Sequence, residues 1–231
     1  MRLGIYFVPD PGTALYQMAS SWLGYDIRDG RELIYDKTLL GINPQHRELV
    51  APARRYGFHA TLKAPFRLRD GEKVENIAEA LHEFSGRFRK FTLPSLKLQT
   101  FSSFSCLVPE RTKSEINEIA DQLVRDFDKF RSPPTQEELD KRMAKKITTR
   151  QLYLLRQWGY PYVLDCYRFH MTLTGTLPSD PVKKTEIQEL LKRYFEPVLK
   201  QPLCFNAISL VCEPEPESCF VHVQQFPLRD N

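Results

Sequence analysis

Gly57-Phe-His-Ala-Thr-Leu-Lys63 and Arg168-Phe-His-Met-Thr-Leu-Thr174 decide the reading of this 231-residue chain. Both carry Phe-His-x-Thr-Leu in one order. With 13 Thr and 28 Leu in the chain and five histidines to start from, two such segments arise by chance roughly once in two thousand trials, and internal duplication is the better account. Residues two apart on a strand share a face. His59, Thr61 and Lys63 are therefore predicted to point one way, with Phe58, Ala60 and Leu62 opposite. In the second copy Arg168, His170, Thr172 and Thr174 share a face, with Phe169, Met171 and Leu173 behind them.

The surroundings repeat as well. The first motif strand, Tyr56 to Phe66, precedes an amphipathic helix from about Glu72 to Phe88 with Ile77, Leu81, Phe84 and Phe88 on one side. Two strand-like runs follow, near 93–100 and 103–108, and read as a hairpin. The second motif strand, about Val163 to Gly175, precedes a helix that starts at the Asp180-Pro181 cap and carries Ile187, Leu190, Leu191, Tyr194 and Val198. Two runs follow it near 203–211 and 219–226. The fold class expected is thus α+β: duplicated strand-helix-strand-strand units in a bilobal pseudo-twofold structure with a central cleft.

The chain reads as one bilobal domain, 1–231, with first-lobe elements in 1–110 and second-lobe elements in 161–231. Between them, 111–160 holds a helix with Ile116, Ile119, Leu123, Phe127 and Phe130 in its stripe, then a charged helical insertion that resembles a lid. Thr135-x-x-Glu138 is a capping-box signature, and a further helix from Thr149 stops at Trp158-Gly159. Leu3 to Val8 is a strand, a helix with Leu15, Met18, Ala19 and Trp22 follows, and 24–53 reads as loop with short elements.

Bulk properties narrow the class. Apolar residues make up 42% and charged residues 27%, ordinary for a globular protein. A net charge of +4 suits a phosphate-bearing ligand but falls short of a duplex binder. Five cysteines without a Cys-x-x-Cys pair fit neither a disulfide framework nor a zinc site. No apolar run reaches the ~20 residues of a membrane span, and the opening strand is too short for a signal segment. The expectation is a cytoplasmic protein with free thiols and no membrane partner.

Two imidazoles facing one cleft suit phosphodiester cleavage without metal. One removes a proton from water and the other protonates the departing alkoxide; an imidazole near its usual pKa of about 6.5 can do either. Thr61 and Thr172 can donate to the non-bridging oxygens, where charge builds in the transition state. Lys63, Arg168, Thr174 and Tyr56 are candidate substrate contacts. His46, His82 and His222 lie outside the motifs and are read as structural. No carboxylate or thiolate stands at ligand spacing, so neither metal nor cofactor is expected.

Paired His-x-Thr-Leu segments in a duplicated α+β frame resemble the two-histidine (2H) phosphoesterase superfamily, which includes cyclic phosphodiesterases and RNA ligase-like proteins. Tyr56-Gly-Phe-His-Ala-Thr-Leu-Lys-Ala-Pro-Phe66, Trp158-Gly-Tyr-Pro-Tyr162 and Arg168-Phe-His-Met-Thr-Leu-Thr-Gly175 are similar to a branch of unknown function found beside phosphonate-utilisation genes. The resemblance implies a bilobal fold with one motif strand per lobe at the cleft. It implies catalytic roles for His59 and His170 and phosphate binding by Thr61 and Thr172. It also implies a small phosphorylated substrate, a cyclic nucleotide or ribosyl phosphate, with RNA ends as a further candidate. The alternative is a non-catalytic RNA or nucleotide binder that uses the same cleft, with Tyr56, Tyr160 and Tyr162 as stacking platforms and the charged run Lys141 to Lys146 beside them.

Overall fold

The structure is a computed structural model that describes residues 1–35, 45–101, 103–144 and 146–230. Its centre is the pair of motif strands, β4 (Ala60–Phe66) and β8 (Met171–Thr172), which run antiparallel and meet at one residue pair, Ala60 opposite Met171. On one side of that seam lie β1 (Arg2–Phe7), β10 (Ala207–Glu213) and β11 (Val221–Pro227), in the order β11-β10-β1-β4. On the other side lie β7 (Phe104–Pro109) and β6 (Leu96–Phe101), in the order β8-β7-β6. Every pairing in this seven-stranded sheet is antiparallel.

The duplication is visible in what pairs with what. After β4 come α3 (Val74–Ser85), a short β5 (Phe91–Leu93) and the β6–β7 hairpin; after β8 come α7 (Pro181–Leu199), a short β9 (Leu203–Phe205) and the β10–β11 hairpin. Corresponding strands pair with each other: β4 with β8, and β5 with β9. The hairpins cross over, so β6–β7 from the first copy flanks the second motif and β10–β11 from the second copy joins the first motif through β1. The repeated units run from β4 to β7 and from β8 to β11, and the two halves of the sheet interleave them.

Helices take their starts from the signals the sequence carries. α1 (Ala14–Leu23) is capped by the Thr13 hydroxyl and ends on left-handed Gly24. α7 begins at Pro181 with the Asp180 carboxylate accepting from the Val182 and Lys183 amides. Both α5 (Gln136–Met143) and α6 (Thr149–Trp158) open on full capping boxes. The core is continuous through the centre, where Phe7 and Phe91 both stack on Phe205, at ring distances of 4.5 and 4.9 Å.

Two expectations need correcting. The loop read over 24–53 contains the short hairpin β2 (Tyr25–Asp26) and β3 (Arg31–Glu32) and a nine-residue helix, α2 (His46–Arg54). Pro52 and three arginine or glutamate side chains blur that helix's pattern, although its buried face is His46, Leu49, Val50 and Ala53; residues 36–44 of the stretch lie outside the described residues, as does Lys145 in the charged run. The second motif strand, expected over 163–175, is regular only at Met171 and Thr172. Pro161, a 3-10 turn at Leu164–Cys166 and a left-handed Leu164 (φ 50°) keep the chain before it irregular.

Candidate active site

His59 is held from two sides by its own segment. Gly57 stands just before it at φ +66°, a left-handed backbone that a side chain resists, and a Cβ there would meet Ile27 Cβ at 2.5 Å. That turn aims the Gly57 carbonyl at the imidazole, whose Nδ1 donates to it at 2.9 Å. A carbonyl only accepts, so the proton sits on Nδ1 and Nε2 carries the free lone pair. The Thr61 hydroxyl donates to that Nε2 at 3.0 Å. Below the ring, Tyr6 of β1 stacks at 3.8 Å between centroids and 19° between planes, while Tyr56 flanks it at 6.3 Å.

His170 repeats the device. Its Nδ1 donates to the Arg168 carbonyl at 2.7 Å, the same i−2 position, which again leaves the lone pair on Nε2. Its neighbours are Phe101 and Phe104 from the ends of the β6–β7 hairpin, at 5.8 and 5.7 Å. Continuing the antiparallel register by one residue from Ala60–Met171 sets His59 across from Thr172 and Thr61 across from His170. Ala60 and Met171 are fully buried, so the four motif side chains occupy the opposite, cleft face as a two-by-two grid. The histidines are its diagonal, a spacing of roughly 7–8 Å between Cα atoms.

Burial disfavours the charged imidazole at both positions. It pushes His59 down to about 4, with the Gly57 carbonyl pulling the other way and His170 adding a small further depression. His170 is lowered by burial too, against the Arg168 carbonyl. Both shifts favour the neutral imidazole.

The remaining candidates divide. Tyr56 is brought to the cleft beside His59, stacked on Phe220 at 5.1 Å with Arg55 over its other side at 5.7 Å. Arg168 keeps its guanidinium exposed, donating to the Asp165 and Tyr167 carbonyls. It lines an open pocket of about 450 Å³ with Lys97, Gln99 and Phe101. Lys63 does not reach the cleft. Thr61 pairs with Tyr6 but Lys63 with Ile5, so two residues of β4 advance against one of β1; that bulge turns Lys63 onto the core face. There it is 3% exposed, donates to the Val124 carbonyl at 3.1 Å at the end of α4 (Ser114–Asp126), and burial lowers its pKa to about 8. Thr174 is buried as well: its hydroxyl accepts from the Ser105 amide and donates to the Gly175 carbonyl.

Sequence reasoning missed Tyr6, Phe101 and Phe104, which sit outside the motifs and come to them only through strand pairing. It also missed Glu213, buried at 1% exposure and bound by both Arg2 and Arg55. That cluster ties the ends of β1 and β10 to the segment entering the first motif. Among the described residues no three His, Cys, Asp or Glu side chains converge as metal ligands, and no helix is long and apolar enough to cross a membrane.

The fold is an interleaved α+β sheet that brings the two His-x-Thr segments side by side, the arrangement that the motif resemblance implies. Residues 61–221 match the family described as "Protein of unknown function (DUF1045)", and the chain belongs to it. It is 36% identical over 230 residues to "Ribose 1,5-bisphosphate phosphokinase PhnN" of Janthinobacterium sp. (strain Marseille). It is 32% identical over 223 residues to the protein of the same name from Laribacter hongkongensis (strain HLHK9). Those alignments take in 98% and 95% of this chain but 50% of each relative, so the chain spans about half the length of the curated relatives it matches. The solved structure of TT0787 of Thermus thermophilus shares the fold over 100% of this chain and 99% of its own, with a TM-score of 0.52 and 13% identity.

Proposed function

We propose that this chain is a metal-independent phosphoesterase that opens a cyclic phosphodiester by acid–base catalysis between His59 and His170. The observation that carries the reading is the matched tautomer. Each Nδ1 hydrogen is tied to the carbonyl two residues back, which makes Nε2 the proton-transfer atom of both rings, that of His59 holding the Thr61 hydroxyl until substrate and water displace it. His59, the more strongly held neutral, is the base. Its Nε2 takes a proton from water as the water oxygen attacks phosphorus. The bond from phosphorus to one ring oxygen breaks, and that alkoxide takes the Nε2 proton of a protonated His170. Thr172 donates to a non-bridging oxygen as its charge grows, and Thr61 does the same once its hydroxyl has turned from His59 Nε2 to the bound phosphate.

A ribose carrying phosphates is the substrate class favoured, because relatives named for a ribose 1,5-bisphosphate activity devote half their length to a segment like this chain. A role in phosphonate metabolism fits the branch its motifs resemble. The deciding experiment is a screen of cyclic phosphates of nucleosides, ADP-ribose and ribose, run in EDTA with a His59/His170 double variant as control. Turnover that persists in EDTA and falls by about 10²–10⁴ in the double variant is expected. Complete loss on chelation would favour a metal site. Binding of single-stranded RNA with no turnover of any cyclic phosphate would favour the non-catalytic reading.

The pH profile has a definite sign. A base must have lost its proton, so kcat/KM rises as pH climbs through the His59 value of about 4. An acid must keep its proton, so kcat/KM falls as pH climbs through the His170 value, which burial places below 6.5. The expected optimum lies on the acid side of neutral. A profile still rising between pH 7 and 8 contradicts this assignment.

A further inference from the structure

His59 and His170 are matched in sequence and tautomer but not in what lies beneath them. His170 meets Phe101 at 84° between planes and Phe104 at 47°, whereas His59 lies nearly flat on Tyr6. Tyr6 comes from β1, a strand outside the duplicated units, inserted between β4 and β10. It is 0% exposed, and its hydroxyl has no hydrogen-bond partner among the described residues. The ring lies back over Gly4, two residues along the same strand face, so closely that a Cβ on Gly4 would stand 2.9 Å from Tyr6 Cε1. Thr61, directly across from Tyr6 in the register, bonds His59 from the side. The imidazole is thus clamped on three sides, by Gly57 at Nδ1, Thr61 at Nε2 and Tyr6 under its face.

We propose that Tyr6 is a positioning residue for His59, a flat aromatic platform, seated by Gly4, that fixes the plane of the imidazole and keeps water from its lower face. The inference deepens the phosphoesterase reading and rests on it for its kinetic consequence. The ring, not the hydroxyl, is the working part. An unpartnered buried hydroxyl contributes no bond to hold anything, and its removal with the ring kept is close to neutral for the fold. The ring gains both ways, through stacking and through the desolvation that holds His59 unprotonated.

The groups facing His59 are few. Tyr6 and Tyr56 lie on one side and His170 across the seam; beyond Tyr6 stand Tyr160 and the Arg2–Glu213 pair. Of these only His170 gives His59 a charge contribution, so loss of the platform should dominate any change in its titration.

The test follows His59 by NMR titration of the full chain alongside kcat and KM on a cyclic phosphate. Tyr6→Phe should leave the His59 midpoint in place and kcat within about threefold of the parent, because the ring remains. Tyr6→Leu should raise the midpoint by more than about one pH unit, as water reaches the ring. It should also lower kcat by about 10–100-fold with KM little changed, as expected of a misplaced base. Gly4→Ala should shift the midpoint in the same direction by displacing the ring, and should add nothing in the Tyr6→Leu background, since it acts through Tyr6. Two results would overturn the proposal: an unmoved midpoint and kcat in Tyr6→Leu, or losses in Tyr6→Phe equal to those in Tyr6→Leu. If the parent turns over no cyclic phosphate at all, the phosphoesterase reading fails, while the titration still decides whether Tyr6 sets the state of His59.

Discussion

Replacing either His59 or His170 with alanine should lower turnover of a cyclic phosphate by about 10²–10⁴, the range that a positioned general acid or base supplies. The two losses should not multiply. Proton removal and proton delivery serve one displacement, so once either imidazole is gone the other has little left to assist, and the double variant should sit close to the worse single one. Steady-state kinetics on the four-member set measures this directly, with circular dichroism to establish that each variant is folded. Alanine at 59 also empties the space above Tyr6, so His59→Asn serves as a second variant that keeps part of that volume. Activity retained in either single variant would remove the acid–base mechanism, and fully multiplicative losses would mean that the rings act in separate steps.

The second large effect is on stability. Glu213 is 2% exposed at its side chain and is the only carboxylate that Arg2 and Arg55 are bonded to among the described residues. Burial alone would raise its pKa; hydrogen bonds from the two arginines outweigh that and hold it below the usual glutamate range. Removing one partner of a buried ion pair costs about 3–5 kcal/mol. Here both arginines are 28% exposed and can recover water, so Glu213→Ala should cost about 2–3 kcal/mol, a fall in Tm of about 4–12 °C for a chain of this size. The pH dependence has the sign of a depressed carboxylate. Its contribution is complete above the unfolded value near 4.3 and is lost as pH falls through the lower folded value, so parent and variant should converge in acid. Thermal unfolding at pH 7 and pH 3 checks both points; an unchanged Tm at pH 7 would show that the cluster is solvated rather than structural.

Much of the local structure is legible residue by residue. Thr13, Asp180 and the two capping boxes mark helix starts, and Gly24 and Gly159 mark ends, because these signals act within one turn of chain. The β6–β7 hairpin and the α3 and α4 stripes are likewise readable from short-range periodicity. The limits appear where a neighbour decides. Lys63 obeys the alternation rule only until the bulge against β1, after which the rule points it to the wrong side. Thr174 follows its motif in sequence yet serves the Ser105 amide, a partner 69 residues away.

For the site, the sequence by itself determined the residue pattern: two His-x-Thr units, matched in order and spacing, each with its His and Thr on one face of an extended segment. That much is intrinsic, since side-chain alternation is a property of a single extended segment. Only the tertiary structure decided that the strands lie side by side and meet at Ala60 and Met171, a register that, carried one residue further, sets each histidine opposite the other's threonine. It alone decided that the lobes exchange hairpins and that Tyr6 from an unrelated strand lies under one histidine but not the other. The reason is physical. Cross-strand register, burial and ring stacking depend on contacts between residues far apart in the chain, and those contacts set the environment, and so the protonation, that the motif residues need to act.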